Sequence, residues 1–238
     1  MLQILNTGVA SAEQNMDEDA KLLETLDPKG NPILHLYRWA GPSLTFGHFI
    51  APGQHIDLAQ AEKHRLSCAR RPTGGGIIFH IWDLAFSFLM PASHPSFSLN
   101  TLKNYRFVNQ IVSDAMQEYF SLKDVIELIP ESAPALAPSC QNFCMAKPTQ
   151  YDAMYRGMKI AGAAQRKRKQ GYLHQGTLSL SLPHLGLLRD VLISQKEVTQ
   201  AIFQYTFAPL GRAVESKAFE EARSGLEQLL AQKFMEKL

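Results

Sequence analysis

The chain has 238 residues, 45% apolar and 19% charged, with a formal net charge of +2; this fits one large globular domain, or one with a small appendage, and excludes disordered, collagen-like and coiled-coil architectures. The best candidate for a membrane span, Ile77 to Met90, is broken by His80, Asp83 and Ser87, well short of the roughly 20 apolar residues a span needs. Cys68, Cys140 and Cys144 are too few for a disulfide framework and form no zinc pattern, and the N-terminal residues carry neither a signal nor a transit pattern, so a reducing cytoplasm is the expected setting.

In chain order, Ser11-Ala-Glu-Gln14 has capping-box spacing and predicts a helix to about Glu24. Turn chemistry at Asp27–Pro32 leads into a strand at Ile33–Trp39, with Leu34, Leu36 and Arg38 on one face, and Gly41-Pro42 turns it into a second at Ser43–Phe49. Asp57 predicts a short helix to about Arg65; Ser67–Arg71, Ile77–His80 and Leu84–Met90 read as three short strands around a glycine run. Val108, Ile111, Val112, Ala115, Met116 and Tyr119 fall at helical spacing within Ser98–Phe120. The segment from Pro130 to Pro138 reads as a mobile surface loop, followed by strands at Tyr151–Tyr155, Lys159–Gln165 and Tyr172–Leu180. The C-terminal part is helical in pattern, with Phe219, Ala222, Leu226, Leu229 and Leu230 on one stripe. Strands clustered between helices, without regular alternation, imply an α+β fold with a mixed, largely antiparallel sheet flanked by helices.

Charge is distributed unevenly. From Ala153 to Arg189 there is no Asp or Glu, while Arg156, Lys159, Arg166, Lys167, Arg168, Lys169 and Arg189 give that window +7, leaving −5 for the remainder. Such a face steers an anionic partner, whether nucleic acid, a phosphorylated ligand or an acidic protein.

Arg70-Arg71-Pro72-Thr73-Gly74-Gly75-Gly76 joins two cations to three glycines. It reads either as an anion cradle, with backbone N–H groups and guanidinium turned on phosphate or carboxylate oxygens, or as a flexible hairpin turn. Neither a P-loop nor a dinucleotide fingerprint fits its spacing. Lys159 stands alone in an apolar, small-residue strand, either as a surface charge or as a desolvated cation for an anionic ligand. His80 and His174 are each compatible with a structural role or with hydrogen bonding to a ligand.

Taken in order, Leu36-Tyr-Arg-Trp39 with Pro42 and Gly47, Arg70–Gly76 with His80 and Phe86-Ser-Phe88, Met158–Gln165, and His174-Gln-Gly-Thr177 resemble the lipoate-protein ligase family of the biotin and lipoate ligase superfamily, which includes octanoyl- and lipoyltransferases. The resemblance implies a class II synthetase or biotin ligase-like catalytic domain over residues 1–195, with 196–238 a C-terminal helical segment packed on the same domain and no full accessory domain. It implies a ligase that activates lipoate with ATP and Mg2+ to lipoyl-AMP and then acylates a lysine of an acceptor. Lys159 would be catalytic, holding the acyl carbonyl or adjacent phosphate oxygen. Arg70, Arg71, Thr73, Gly74, Gly75, Gly76, His80, Gly162, Gln165, His174, Gly176 and Thr177 would bind substrate. Arg166, Lys167, Arg168 and Lys169 would dock the acceptor, an acidic lipoyl domain of a 2-oxoacid dehydrogenase complex or the glycine cleavage H protein, rather than nucleic acid or a membrane. A separate accessory protein is a further implied partner, and no metal site of the chain's own is expected.

The sequence departs from the ligase pattern in reading His80-Ile81 for His-Asp and His174-Gln175 for His-His. Cys144, ahead of Pro148-Thr-Gln-Tyr151, also matches the spacing of the cysteine-dependent octanoyltransferase branch. That alternative would make Cys144 the acyl-accepting nucleophile, fed by an acyl carrier protein. The three glycines and Gln165-Arg-Lys-Arg168 favour the ligase instead, and a second alternative is a family member that binds an acyl group or an acceptor without catalysis.

Overall fold

The computed structural model describes residues 1–134, 137–212 and 214–238. Ten strands and six helices of at least six residues follow in the order β1 (Gln3–Ala10), α1 (Ala12–Glu24), β2 (Ile33–Trp39), β3 (Ser43–Phe46), α2 (Leu58–Lys63), β4 (Ser67–Arg70), β5 (Ile77–His80), β6 (Asp83–Pro91), α3 (Thr101–Tyr119), β7 (Glu127–Leu128), β8 (Ala153–Tyr155), β9 (Met158–Arg168), β10 (Gly171–Ser179), α4 (Leu185–Val191), α5 (Gln195–Tyr205) and α6 (Ser216–Lys237). Seven strands form one sheet in the order β1-β2-β6-β10-β9-β8-β7, and β4-β3-β5 form a smaller one. Pairing is antiparallel except for β1 with β2 and β3 with β4, so the fold is α+β with a mixed, largely antiparallel sheet.

One face of the large sheet carries the main apolar core. The α3 stripe Val108, Ile111, Val112, Ala115 and Met116 and the α6 stripe Phe219, Leu226, Leu230 and Phe234 pack there against Phe86, Phe88, Leu178 and Tyr172. Tyr119 is only partly buried and donates its hydroxyl to the carbonyl of Glu221. Arg38, on the same face of β2 as Leu34 and Leu36, clamps α6 through a bidentate pair with Glu227 at 2.9 and 3.1 Å. The opposite face is covered by the small sheet and α1, and beyond them a second core joins Leu44, Ile77 and Phe79 to α4 and α5. The capping box of α1 is present, with Ser11 and Gln14 bonded reciprocally.

Some strands differ from the sequence expectation, and one expected loop falls partly outside the described residues. Strand β1 is absent from that expectation because this edge strand is mostly exposed and lacks clean alternation. The strand expected over Ser43–Phe49 stops at Phe46, because Gly47 lies against the glycine run: a Cβ there would fall 2.0 Å from the Gly75 carbonyl oxygen. The loop expected over Pro130–Pro138 includes Ala135 and Leu136, which lie outside the described residues; before them, Ala133 N–H donates to the Pro148 carbonyl and Ser132 Oγ accepts from Gln150 N–H.

Candidate active site

A cavity of about 260 Å³ lies between the large sheet, the small sheet and the segment 141–149. Its β10 wall is Gln175 and Thr177, which share a strand face, with Gly176 between them. Opposite them on β9 are Ala164 and Gly162, so simple alternation would turn Lys159 to the other face. A β-bulge prevents this. Ala153 pairs with Ala161 but Met154 pairs with Lys159, leaving Ile160 as the extra residue. The bulge re-aims the lysine into the cavity while Ile160 and Ala161 stay in the main core. Gly162 leaves room for it, since a Cβ there would lie 2.6 Å from Lys159 Nζ.

Lys159 is 2% exposed. Its ammonium sits 2.7 Å from Asp152 Oδ2 and donates to the Cys144 carbonyl at 2.9 Å. Thr149 steadies the aspartate, donating to the same oxygen through its backbone N–H and its hydroxyl. Burying this charge is tolerable because it is paired and hydrogen-bonded. Asp152 escapes sequence reasoning; its signal is the local Thr149-x-x-Asp152 spacing that follows Cys144.

The glycine run brings the cysteine segment onto the site. A Cβ on Gly76 would lie 2.3 Å from the Asn142 carbonyl oxygen, so glycine is needed for that close approach. Gly75 has φ +89°, and a Cβ there would lie 3.1 Å from an Arg71 nitrogen and 3.9 Å from Cys144 Sγ. The sulfur, the guanidinium and the run thus meet at one wall. Gly74 is unconstrained on this count, with nothing within 4 Å of a Cβ. Arg71 is 5% exposed and donates to the Gly74 and Gly76 carbonyls and to Thr45 Oγ1. It therefore shapes the run from inside and leaves two of its five donor hydrogens free.

Two buried polar chains back the cavity. In one, Thr45 donates to His80 Nε2 at 2.7 Å, His80 Nδ1 donates to Asp83 Oδ2 at 2.7 Å, and Thr177 donates to the same carboxylate oxygen; Trp39 stacks on His80 at 4.3 Å. The acidic partner that the resemblance expects directly after the histidine stands here at Asp83. In the other, Thr73 donates to Gln175 Oε1 at 2.6 Å, and Gln175 and Ser87 both donate to Asp19 Oδ2 at 2.6 Å. Tyr37 hydroxyl contacts Ser87 Oγ at 3.4 Å, and burial, aided by the Asp19 charge, holds this phenol well above its ordinary range.

Of the substrate-binding residues expected from sequence, Arg71, Gly75, Gly76, His80, Gly162, Gly176 and Thr177 line the cavity with Cys144 and Lys159. Thr73 and Gly74 support it through Gln175 and Arg71. Arg70, Gln165 and His174 do not belong to its wall. Arg70 is exposed on the alternate face of β4, stacks over Phe46 and donates to the carbonyls of His48 and Ile50. His174 and Gln165 point into the main core, where Gln165 bonds His174 Nδ1 at 2.8 Å and Phe86 stacks on the imidazole. Burial pushes the His174 pKa down to about 3. Within the expected docking group, Arg166 donates to the Pro72 carbonyl at 2.7 Å and Lys167 to the Leu99 carbonyl at 2.8 Å, while Arg168 and Lys169 are exposed at the β9–β10 turn.

Residues 11–214 match the family model of the lipoyl protein ligase A/B catalytic domain. The octanoyltransferase LipM of Geobacillus kaustophilus is 30% identical over 186 residues, covering 76% of this chain and 66% of that protein. The octanoyltransferase LipM of Lysinibacillus sphaericus is 30% identical over 202 residues, covering 81% and 71%. The chain thus spans about two thirds of the length of these relatives. Among solved structures, the bipartite lipoate protein ligase of Thermoplasma acidophilum, described with its E2 lipoyl domain, superposes with a TM-score of 0.71 at 20% identity over 98% of this chain and 83% of that one; at that identity the likeness concerns fold. The relatives' names overturn the ATP-dependent lipoate ligase expected as the main activity, because they carry the transferase name that stood as its alternative. By its match over most of its length, the chain belongs to the lipoyl protein ligase A/B catalytic domain family.

Proposed function

We propose that the protein transfers an octanoyl group from an acyl carrier protein thioester, through Cys144, to a lysine of an acceptor lipoyl domain. The observation that carries this reading is the meeting of Cys144 Sγ, the Arg71 guanidinium and Lys159 in one cavity. Met16, Tyr37, Ile78, Phe143, Ala163 and Ala164 give that cavity apolar walls suited to an aliphatic chain.

In the first step Sγ attacks the donor carbonyl, the Cys144 C–S bond forms, and the carrier thiol leaves with the proton that Cys144 gives up. In the second step the acceptor's lysine amine attacks the acyl-cysteine, the C–N bond forms, and Cys144 departs and regains a proton from the amine. Negative charge grows on the carbonyl oxygen in both steps. Lys159 has one ammonium proton beyond those directed to Asp152 and Cys144, and Arg71 has two free donors, so both stabilise that oxygen. The thioester supplies the activation, and a reducing cytoplasm keeps Cys144 a thiol. Arg168, Lys169 and the neighbouring exposed Leu99 form the docking edge for an acidic acceptor such as the lipoyl domain of a 2-oxoacid dehydrogenase or a glycine cleavage H protein.

The test is intact-mass analysis after incubation with octanoyl-acyl carrier protein, without ATP. An octanoyl increment on the protein, lost in Cys144→Ala and chased onto a lipoyl domain, is the expected result. Transfer that survives Cys144→Ala would overturn the reading.

A further inference from the structure

The buried stripe of α1 is Ala12, Asn15, Met16, Asp19 and Leu23, and it places a carboxylate where the helix needs only apolar contact. Asp19 is 0% exposed and so is its neighbour His35. An unpaired buried charge costs several kcal/mol, so the partners that hold this one matter. Oδ1 accepts from His35 Nδ1 at 2.8 Å, and Oδ2 accepts from Ser87 and Gln175 at 2.6 Å.

A carboxylate only accepts, and this fixes the direction of every bond around it. His35 therefore donates through Nδ1, and its Nε2 lies 2.8 Å from the Thr7 hydroxyl oxygen. Gln175 turns its amide nitrogen to Asp19, at 2.6 Å, and within 3.2 Å of Met16 Sδ, so its oxygen must face Thr73. Ser87 donates to Asp19, so its oxygen is left to receive the Tyr37 hydroxyl. Met16, Tyr37 and Gln175 all line the active-site cavity and are 3%, 5% and 7% exposed, whereas Gln141, Asn142, Cys144 and Lys147 on its other side are more open to solvent. The first three therefore form its inner end.

We propose that Asp19 is a positioning residue that fixes this inner end, and that Gln175, held by it, sets the length of acyl chain the cavity accepts. The proposal rests on the acyl-transfer reading above. A chain bound by its carbonyl beside Cys144 runs inward toward Gln175. The amide, pulled back by Asp19 and Thr73, defines where the last methylene stops. Releasing that hold moves the end wall, and the sign of the movement depends on the substitution.

The test is the ratio of hexanoyl, octanoyl and decanoyl adducts formed on Cys144 from the corresponding acyl carrier proteins in competition, read by intact mass. Such a ratio is insensitive to the folded fraction. Gln175→Glu sets a second carboxylate against Asp19, and repulsion drives the side chain into the cavity, so the octanoyl-to-hexanoyl ratio falls about tenfold, the equivalent of about 1.4 kcal/mol. Asp19→Asn combined with Gln175→Glu restores a donor facing an acceptor and returns the ratio to within about threefold of the parent. Gln175→Ala shifts the ratio the opposite way, toward decanoyl, and supplies the answer if the glutamate variant does not fold. Unchanged ratios in Gln175→Glu and Gln175→Ala, or no recovery in the double variant, overturn the proposal. If the parent protein forms no acyl adduct on Cys144, the transfer reading itself fails.

Discussion

His174 and Gln175 are neighbours on β10 and face opposite worlds. Gln175 belongs to a hydrogen-bonded chain that runs from the glycine loop to a buried carboxylate, with each donor matched to an acceptor. His174, one residue earlier, sits among Phe86, Tyr105 and Gln165, and its Nε2 has no hydrogen-bond partner among the described residues. The site face of the large sheet is polar, connected and directional, while the other is apolar and tolerates isolated polar atoms. The imidazole of His80, held between Thr45 and Asp83 beside the cavity, underlines the contrast. A histidine near a glycine carries chemical meaning only once its face of the sheet is known.

The largest effects come from breaking the site face. Lys159→Met removes the cation and strands Asp152, so both stability, by about 3–5 kcal/mol, and acyl transfer, by about a hundredfold or more, should fall. Adding Asp152→Asn should return most of the melting temperature but little of the turnover, which separates the electrostatic role from the structural one. Denaturant melts and single-turnover acylation measure the two. Next come the glycines. Gly76→Ala pushes a methyl group against the Asn142 carbonyl and must displace the cysteine segment, whereas Gly74→Ala meets nothing. Acylation at Cys144 should slow at least about tenfold in the first and stay within about twofold in the second, which corresponds to a difference of about 1 kcal/mol or more.

Much of the fold was legible because its signals are local. The capping box of α1 is written in four consecutive residues, and the stripes of α3 and α6 are periodic patterns over a few turns whose apolar residues pack in the core. The site was legible in part. Cys144, Lys159, Arg71 and the glycines stand out as residue types, but whether Lys159 faces the cavity or the core depends on a bulge at Ile160 that alternation alone would get wrong. Gln165 and His174 are misplaced for the opposite reason: alternation puts them on the core face, opposite Ala164 and Gln175, but motif membership does not tell which side of the strand a residue takes. Asp19 and Asp152 were missed for a different reason: each pairs with a group on another element, Asp19 on α1 with His35 of β2 and Asp152 in the turn before β8 with Lys159 of β9, so neither carboxylate reads as buried from its own segment.

A milder test probes the core face. The His174 pKa is pushed down to about 3 by burial, against about 6.5 in an unfolded chain. Between those values the unfolded state binds more protons than the folded one, so stability rises with pH through the window and is lost as pH falls from about 6.5 toward 3. The slope contributed is at most about 1.4 kcal/mol per pH unit. His174→Gln should flatten the dependence of melting temperature on pH in that range while leaving octanoyl transfer near neutral pH within about threefold, equivalent to less than about 1 kcal/mol. A collapse of transfer would place His174 functionally with Gln175 and undo the contrast between the faces.

The smallest effect should come from the exposed turn that joins the two site strands. Arg166 and Lys167 are already engaged with the Pro72 and Leu99 carbonyls, so Arg168 and Lys169 are the cations of this turn available to a partner. Arg168→Glu with Lys169→Glu reverses that edge without touching the cavity. For an acidic lipoyl domain the KM should rise about three- to tenfold at low ionic strength, with the acylation rate of Cys144 unchanged. The difference should shrink as added salt shortens the screening length from about 10 Å at 0.1 M toward 3 Å at 1 M. A salt-independent loss would mean instead that the substitution disturbed Arg166 and, through Pro72, the glycine loop. In that event the turn would count as part of the site face rather than its docking edge.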